Sequence, residues 1–227
     1  MKRNPQEKFV VLYDTAKKCL LILDHLYANL ENGTNQAIDA DKIKKDLSIV
    51  TSIYISALGL IDYFHRFHEI VSAMTLIRKD LPELKRLGKT VEQVKECRNY
   101  LQHMRGDLMK NDTIDYPILG AISWIHEGRN YTLFSNQATQ NMSLPGIVYD
   151  RFAANYVCKY QLIVGGHEIR IDTVLSEVKS FWSWLEKNVV IKPPHIKDYT
   201  WGSPTIIYSE IKMKTQQRQY SRTLRSG

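Results

Sequence analysis

Between Phe9 and Leu26 the residues Phe9, Leu12, Ala16, Cys19, Leu23 and Leu26 recur at steps of three and four, with Leu20 beside Cys19. At about 100° per residue, that spacing collects them on one side of an α-helix. A chain that keeps this period through its first hundred residues must bury helix faces against one another, and this constrains the fold more than any composition figure. Pro5 suits a helix start and Asn32-Gly33 a stop, which predicts a first helix from about Pro5 to Glu31. A second is predicted from Asp39 to Asp41 onward past Ile70, with Ile43, Leu47, Val50, Tyr54, Leu58, Ile61 and His65 near one stripe. Gly59 within it marks a kink or a close helix contact.

Leu81-Pro82 interrupts the pattern, because proline disfavours a helical conformation at the residue before it. Pro82 to Lys89 reads as a connector, Thr90 as an N-cap, and Thr90 to Leu108 as a third helix with Val94, Cys97, Leu101, Met104 and Leu108 inward. Short links between long amphipathic helices favour antiparallel packing.

After Met109 the texture changes. Ile118 to Ile125, Arg129 to Ser135 and Asn155 to Val164 are rich in β-branched and aromatic residues. Gly165-Gly166 between Tyr160–Val164 and His167–Ile171 has the form of a two-residue hairpin turn. Asp172 or Thr173 then caps a final helix to about Asn188, with Val174, Leu175, Val178, Phe181, Trp182 and Leu185 apolar. The expected class is α+β, mainly α: an antiparallel helical bundle with a small antiparallel sheet inserted before the last helix. The expected organisation is a bundle at 1–110, a sheet plus packed helix at 111–191, and an extended basic tail at 192–227.

Chemistry concentrates in one hexamer, Arg98-Asn99-Tyr100-Leu101-Gln102-His103. Helical geometry places Glu92, Glu96, Asn99 and His103 opposite the apolar stripe, with Arg98 beside the stripe. Asn99 and His103 are four apart and Glu96 is three before Asn99, so a Glu96-Asn99-His103 relay on an exposed face is within reach.

This segment resembles the HEPN superfamily, whose signature is an arginine, a polar residue that is often asparagine, a few residues and a histidine on a late helix of a bundle. The resemblance covers residues 5 to 108 at most and is sharp over six. It implies a metal-independent endoribonuclease that needs no cofactor and works as a homodimer, with two motifs facing across a shared cleft and single-stranded RNA as substrate. On that resemblance His103 is the general acid or base, Arg98 the phosphate-binding cation, Asn99 the orienting residue and Glu96 its support. Many relatives belong to defence or toxin–antitoxin systems, which brings in an antitoxin or other protein partner. Others lack nuclease activity and serve as binding or dimerisation modules, the alternative function here. The chemistry is coherent: attack of a 2′-hydroxyl on its phosphodiester needs proton transfer near neutral pH and a fixed positive charge at the developing oxyanion.

A net charge of +7 suits a polyanion partner. Arg105 on the motif helix and Lys212, Lys214 and Arg218 in the tail are candidate nucleic-acid contacts. Cys19, Cys97 and Cys158 are odd in number and far apart, which argues against a disulfide framework or zinc ribbon and suits a cytoplasmic chain. The start leads into an amphipathic pattern, not a signal-peptide block, and the apolar run Leu47 to Leu60 is too short to cross a bilayer, so no membrane role is expected. Asp62, His65 and His68 sit at steps of three on the second helix, but successive steps drift by about 60°, so no convergent metal site is expected. His126 and His167 lie at strand ends, and Tyr131, Phe134, Tyr156 and Tyr160 suit a sheet core better than base stacking.

Overall fold

The computed structural model describes residues 5–39, 46–110, 117–135 and 146–189. Among the described residues the chain forms helix α1 (Pro5–Gln36), α2 (Leu47–Ser72) and α3 (Pro82–Lys110). The strands β1 (Ala121–His126), β2 (Arg129–Phe134), β3 (Tyr149–Asp150), β4 (Asn155–Tyr156), β5 (Tyr160–Val164) and β6 (His167–Arg170) follow, and helix α4 (Ile171–Asn188) comes last. The α+β class, mainly α, with an antiparallel sheet before the last helix, is what the periodicity predicted.

The bundle forms because each helix has one apolar side. In α1 Phe9, Ala16, Cys19, Leu23 and Leu30 are buried, and in α3 Leu84, Leu87, Val91, Val94 and Cys97. Between them α2 buries Ile49, Ile53, Ala57, Leu60, Ile61, Phe64 and Phe67, a wider arc than one stripe, as a central helix must. Continued to Ser72, α2 is long and apolar enough by length and composition to span a bilayer, which corrects the length argument made on Leu47 to Leu60. Gly59 proves to be a close contact: a Cβ there would stand 3.1 Å from Leu26 of α1.

Three boundaries differ from expectation. α1 runs through Asn32-Gly33 to Gln36, because Gly33 lets the helix press on Ile53, where a Cβ would come within 2.8 Å. Helix α3 starts at Pro82, so Pro82 to Lys89 is its first two turns: proline at the first helical position needs no N–H partner. Thr90 is therefore mid-helix, and its hydroxyl donates to the Arg86 carbonyl at 3.1 Å instead of capping. The second helix was expected from Asp39 to Asp41; Asp39 is not helical, residues 40–45 lie outside the described residues, and α2 begins at Leu47 behind Asp46, whose extended backbone and side chain, accepting from Ser48 N at 2.9 Å, form its N-cap.

The main sheet has the antiparallel order β2-β1-β5-β6, with Trp124 opposite both Tyr131 and Tyr160. The stretch expected as one strand from Asn155 to Val164 is two, β4 pairing with β3 and β5 joining the sheet. Gly165 and Gly166 hold φ of 56° and 82°, the left-handed pair that a tight primed turn requires. Asp172 does not cap α4; its carboxylate accepts from the Lys159 and Tyr160 backbone N–H groups at 3.1 and 3.0 Å, fastening the helix start to β5. α4 then returns to the bundle: Phe181 meets Phe67 edge to face at 6.4 Å, and Lys179 and Glu177 pair with Asp24 and Arg86. The core runs without a break from the helices through Ile122, Tyr160 and Leu162 to Leu185.

Candidate functional site

The motif occupies the middle of α3, where the helix leaves the core. Val94 and Cys97 are fully buried, and burial pushes the Cys97 thiol up to about 12. Beyond them the same stripe loses its cover: Leu101, Met104 and Leu108 are only partly buried, and Met109 is 77% exposed. What braces this half of the helix is the β5–β6 turn, with Gly165 packed flat on the ring of Tyr100.

Arg98 turns toward α2. Its Nε donates to Asp62 Oδ1 at 3.1 Å, and the other carboxylate oxygen of Asp62 accepts from Arg66 Nε at 2.5 Å. Gln102, one turn along α3, accepts from the Arg98 Nη1 group at 3.4 Å. The Arg66 guanidinium also lies over the Tyr63 ring, 5.9 Å from its centre. Burial pushes the Asp62 carboxyl up, but the hydrogen bonds and charges of Arg66 and Arg98 outweigh this and hold it below the ordinary carboxylate range.

Two histidines border this cluster on the α2–α3 side. Burial, and then the charge of Arg98, lowers His65, whose Nδ1 is buried without a hydrogen-bond partner. His68 stands 3.4 Å from the Ser72 hydroxyl and 3.6 Å from Glu69; burial lowers it, and Lys95 adds to the effect.

His103 is exposed and Asn99 partly buried, and no hydrogen bond among the described residues joins Glu96, Asn99 and His103. The relay expected from spacing is thus not made. Five residues of helix separate Arg98 from His103 by about 140°, so the imidazole and guanidinium diverge within one chain. Arg105 and Glu96 are exposed on the same helix, while Lys212, Lys214 and Arg218 lie outside the described residues.

Asp62 and His65 meet the site as neighbours of Arg98, and among the described residues no group of three or more His, Cys, Asp or Glu is placed to hold a metal ion. Arg66 was missed. The available signal was its position four residues after Asp62, a spacing that pairs acid and base on one helix face. Tyr160 is wholly buried and Tyr131 stacks on Trp124 at 5.6 Å, so these rings build the sheet. His126 packs edge-on to Tyr131, and His167 is exposed beside the hairpin turn. No family model matches the chain, and no curated protein or solved structure matches it.

Proposed function

We propose that the chain is a HEPN-like, metal-independent endoribonuclease acting as a homodimer on single-stranded RNA. The observation that carries this reading is the uncovered half of α3, where an exposed His103 stands on a helix whose apolar stripe at Leu101, Met104 and Leu108 is only half buried. A second copy of the same helix would cover that stripe and the Arg98 beside it; the reading further requires that the partner's His103, on the other side of its helix, reach that Arg98 across a shared cleft, making good the divergence of the pair within one chain.

In such a cleft an imidazole takes the proton of a 2′-hydroxyl, and the 2′-oxygen attacks the adjacent phosphorus. The bond from phosphorus to the 5′-oxygen breaks, and that oxygen collects a proton from an imidazolium. A 2′,3′-cyclic phosphate and a 5′-hydroxyl result. Arg98 supplies fixed positive charge to the phosphoryl oxygens as negative charge builds on them. Incubation of single-stranded RNA in EDTA tests the reading: wild type cleaves and His103→Ala does not. If both are inert, or both cut equally, the assignment is wrong.

The Asp62 ion pair favours a second reading, a HEPN-like binding or dimerisation module without catalysis, because a guanidinium already neutralised has less charge to offer a transition state. Binding and self-association without cleavage select this reading.

A further inference from the structure

The cluster around Asp62 is unbalanced. One carboxylate holds two guanidinium groups from two helices, and it holds each by Nε alone: Oδ2 takes Arg66 at 2.5 Å and Oδ1 takes Arg98 at 3.1 Å. Neither is the fork-to-fork pairing that would use two N–H groups of one arginine. Arg66 spends no other donor among the described residues, and its side chain is 55% exposed. Arg98 is 24% exposed and gives its remaining contacts to Gln102, a neutral amide. The three groups therefore carry one surplus positive charge and a set of unspent N–H donors. The nearest further acid on α2, Glu69, is engaged with His68.

Being tied to the two oxygens of one carboxylate also fixes the two guanidinium groups close together. Each is tethered at Nε, which leaves the Nη groups outside the pairing with Asp62, and Tyr63 beneath Arg66 and Gln102 beside Arg98 restrict both further. Two like charges held at this separation lower their energy most by sharing a second anion. Phosphate, whose several acceptor oxygens match the planar N–H fork of a guanidinium, is the anion best suited to it.

We propose that Arg66 and Arg98, yoked through Asp62, form a two-arginine clamp for a backbone phosphodiester of single-stranded RNA. The clamp rests on the nuclease reading for its choice of ligand, and it makes Arg66 a substrate-binding residue outside the hexamer. Asp62 is a positioning residue that sets the gap between the two cations.

The test is fluorescence anisotropy with a 2′-O-methyl oligoribonucleotide, which binds without being cut, titrated over a range of salt. Wild type, Arg66→Gln and Arg129→Gln are compared; the last removes the same charge from an exposed position on the edge strand β2. The expected result is a loss of roughly tenfold in affinity and a salt slope smaller by about one for Arg66→Gln, with a change below about twofold for Arg129→Gln. Equal losses in the two variants, an unchanged Arg66→Gln, or no binding by wild type overturn the clamp. The nuclease reading stands or falls separately. RNA cut in EDTA by wild type and Arg66→Gln alike removes the clamp and keeps the nuclease, whereas tight, Arg66-dependent binding without cleavage keeps the clamp and removes the nuclease.

Discussion

Gly165 lies against the face of Tyr100 so closely that a Cβ on the glycine would sit 2.4 Å from the ring carbons. The β5–β6 turn thereby props the motif helix at the residue between Asn99 and Leu101. Substituting Gly165→Ala adds a methyl where there is no space and forces an L-residue to a φ of 56°. Together these cost about 2–4 kcal/mol. Gly166→Ala has the same class of backbone strain but open space around it, and costs only about 1 kcal/mol. Urea unfolding of the two variants checks the difference; equal losses would show that the contact with Tyr100 does not bear on stability.

Asp62 links stability to pH in the acid range. Its folded carboxyl titrates below the ordinary value of 3.8. Its contribution is therefore complete above that value and disappears as pH falls through the lower, folded one. Asp62→Asn should lower stability at pH 6 by under about 1 kcal/mol, since the pairs are partly exposed. The variant should also show a shallower fall than wild type between pH 4 and about 2.5. Parallel denaturation curves at the two pH values would reject this role.

His65 and His68 act in the same direction at higher pH. Burial lowers both below 6.5, so the unfolded chain binds protons that the folded chain refuses. Their contribution is complete above pH 6.5 and is lost as pH falls toward their folded values. The urea midpoint of wild type should drop between pH 7.5 and 5.5, and His68→Gln should reduce that drop. The groups facing His68 are Glu69, Lys95 and Ser72, and those facing His65 are Arg98, Asp62, Glu69 and His68, so an undiminished drop would point to other titrating groups.

The half-covered stripe of α3 gives a prediction about assembly. Met104→Glu places a carboxylate where a second copy would pack, while removing little from the core of one chain, since Met104 is only partly buried. Light scattering should give a dimer mass for wild type and a monomer mass for the variant, with the melting temperature of the monomer little changed. A wild type that is monomeric at micromolar concentration contradicts the shared cleft.

The helical architecture was legible because its signal is local: buried residues such as Phe9, Leu23, Val94 and Phe181 repeat at the helical period. Boundaries were misread where one residue serves two purposes. Gly33 looked like a stop and is a packing surface for Ile53; Pro82 looked like a breaker and is a first helical residue; Asp172 looked like a cap and ties α4 to β5. In the site, the exposure of His103 followed from its angle on the helix. The grip of Asp62 on Arg98 did not, because 36 residues separate them and no periodicity encodes which acid of one helix meets which base of another. The bracing of Tyr100 by Gly165 was hidden for the same reason.

The most direct measurement of the central claim is mass spectrometry of the RNA ends left after incubation in EDTA. Wild type should yield fragments ending in 2′,3′-cyclic phosphate and 5′-hydroxyl, and His103→Ala should yield none above the protein-free control. Fragments with 5′-phosphate ends, or the same cyclic ends from His103→Ala, would contradict the role given to the His103 imidazole.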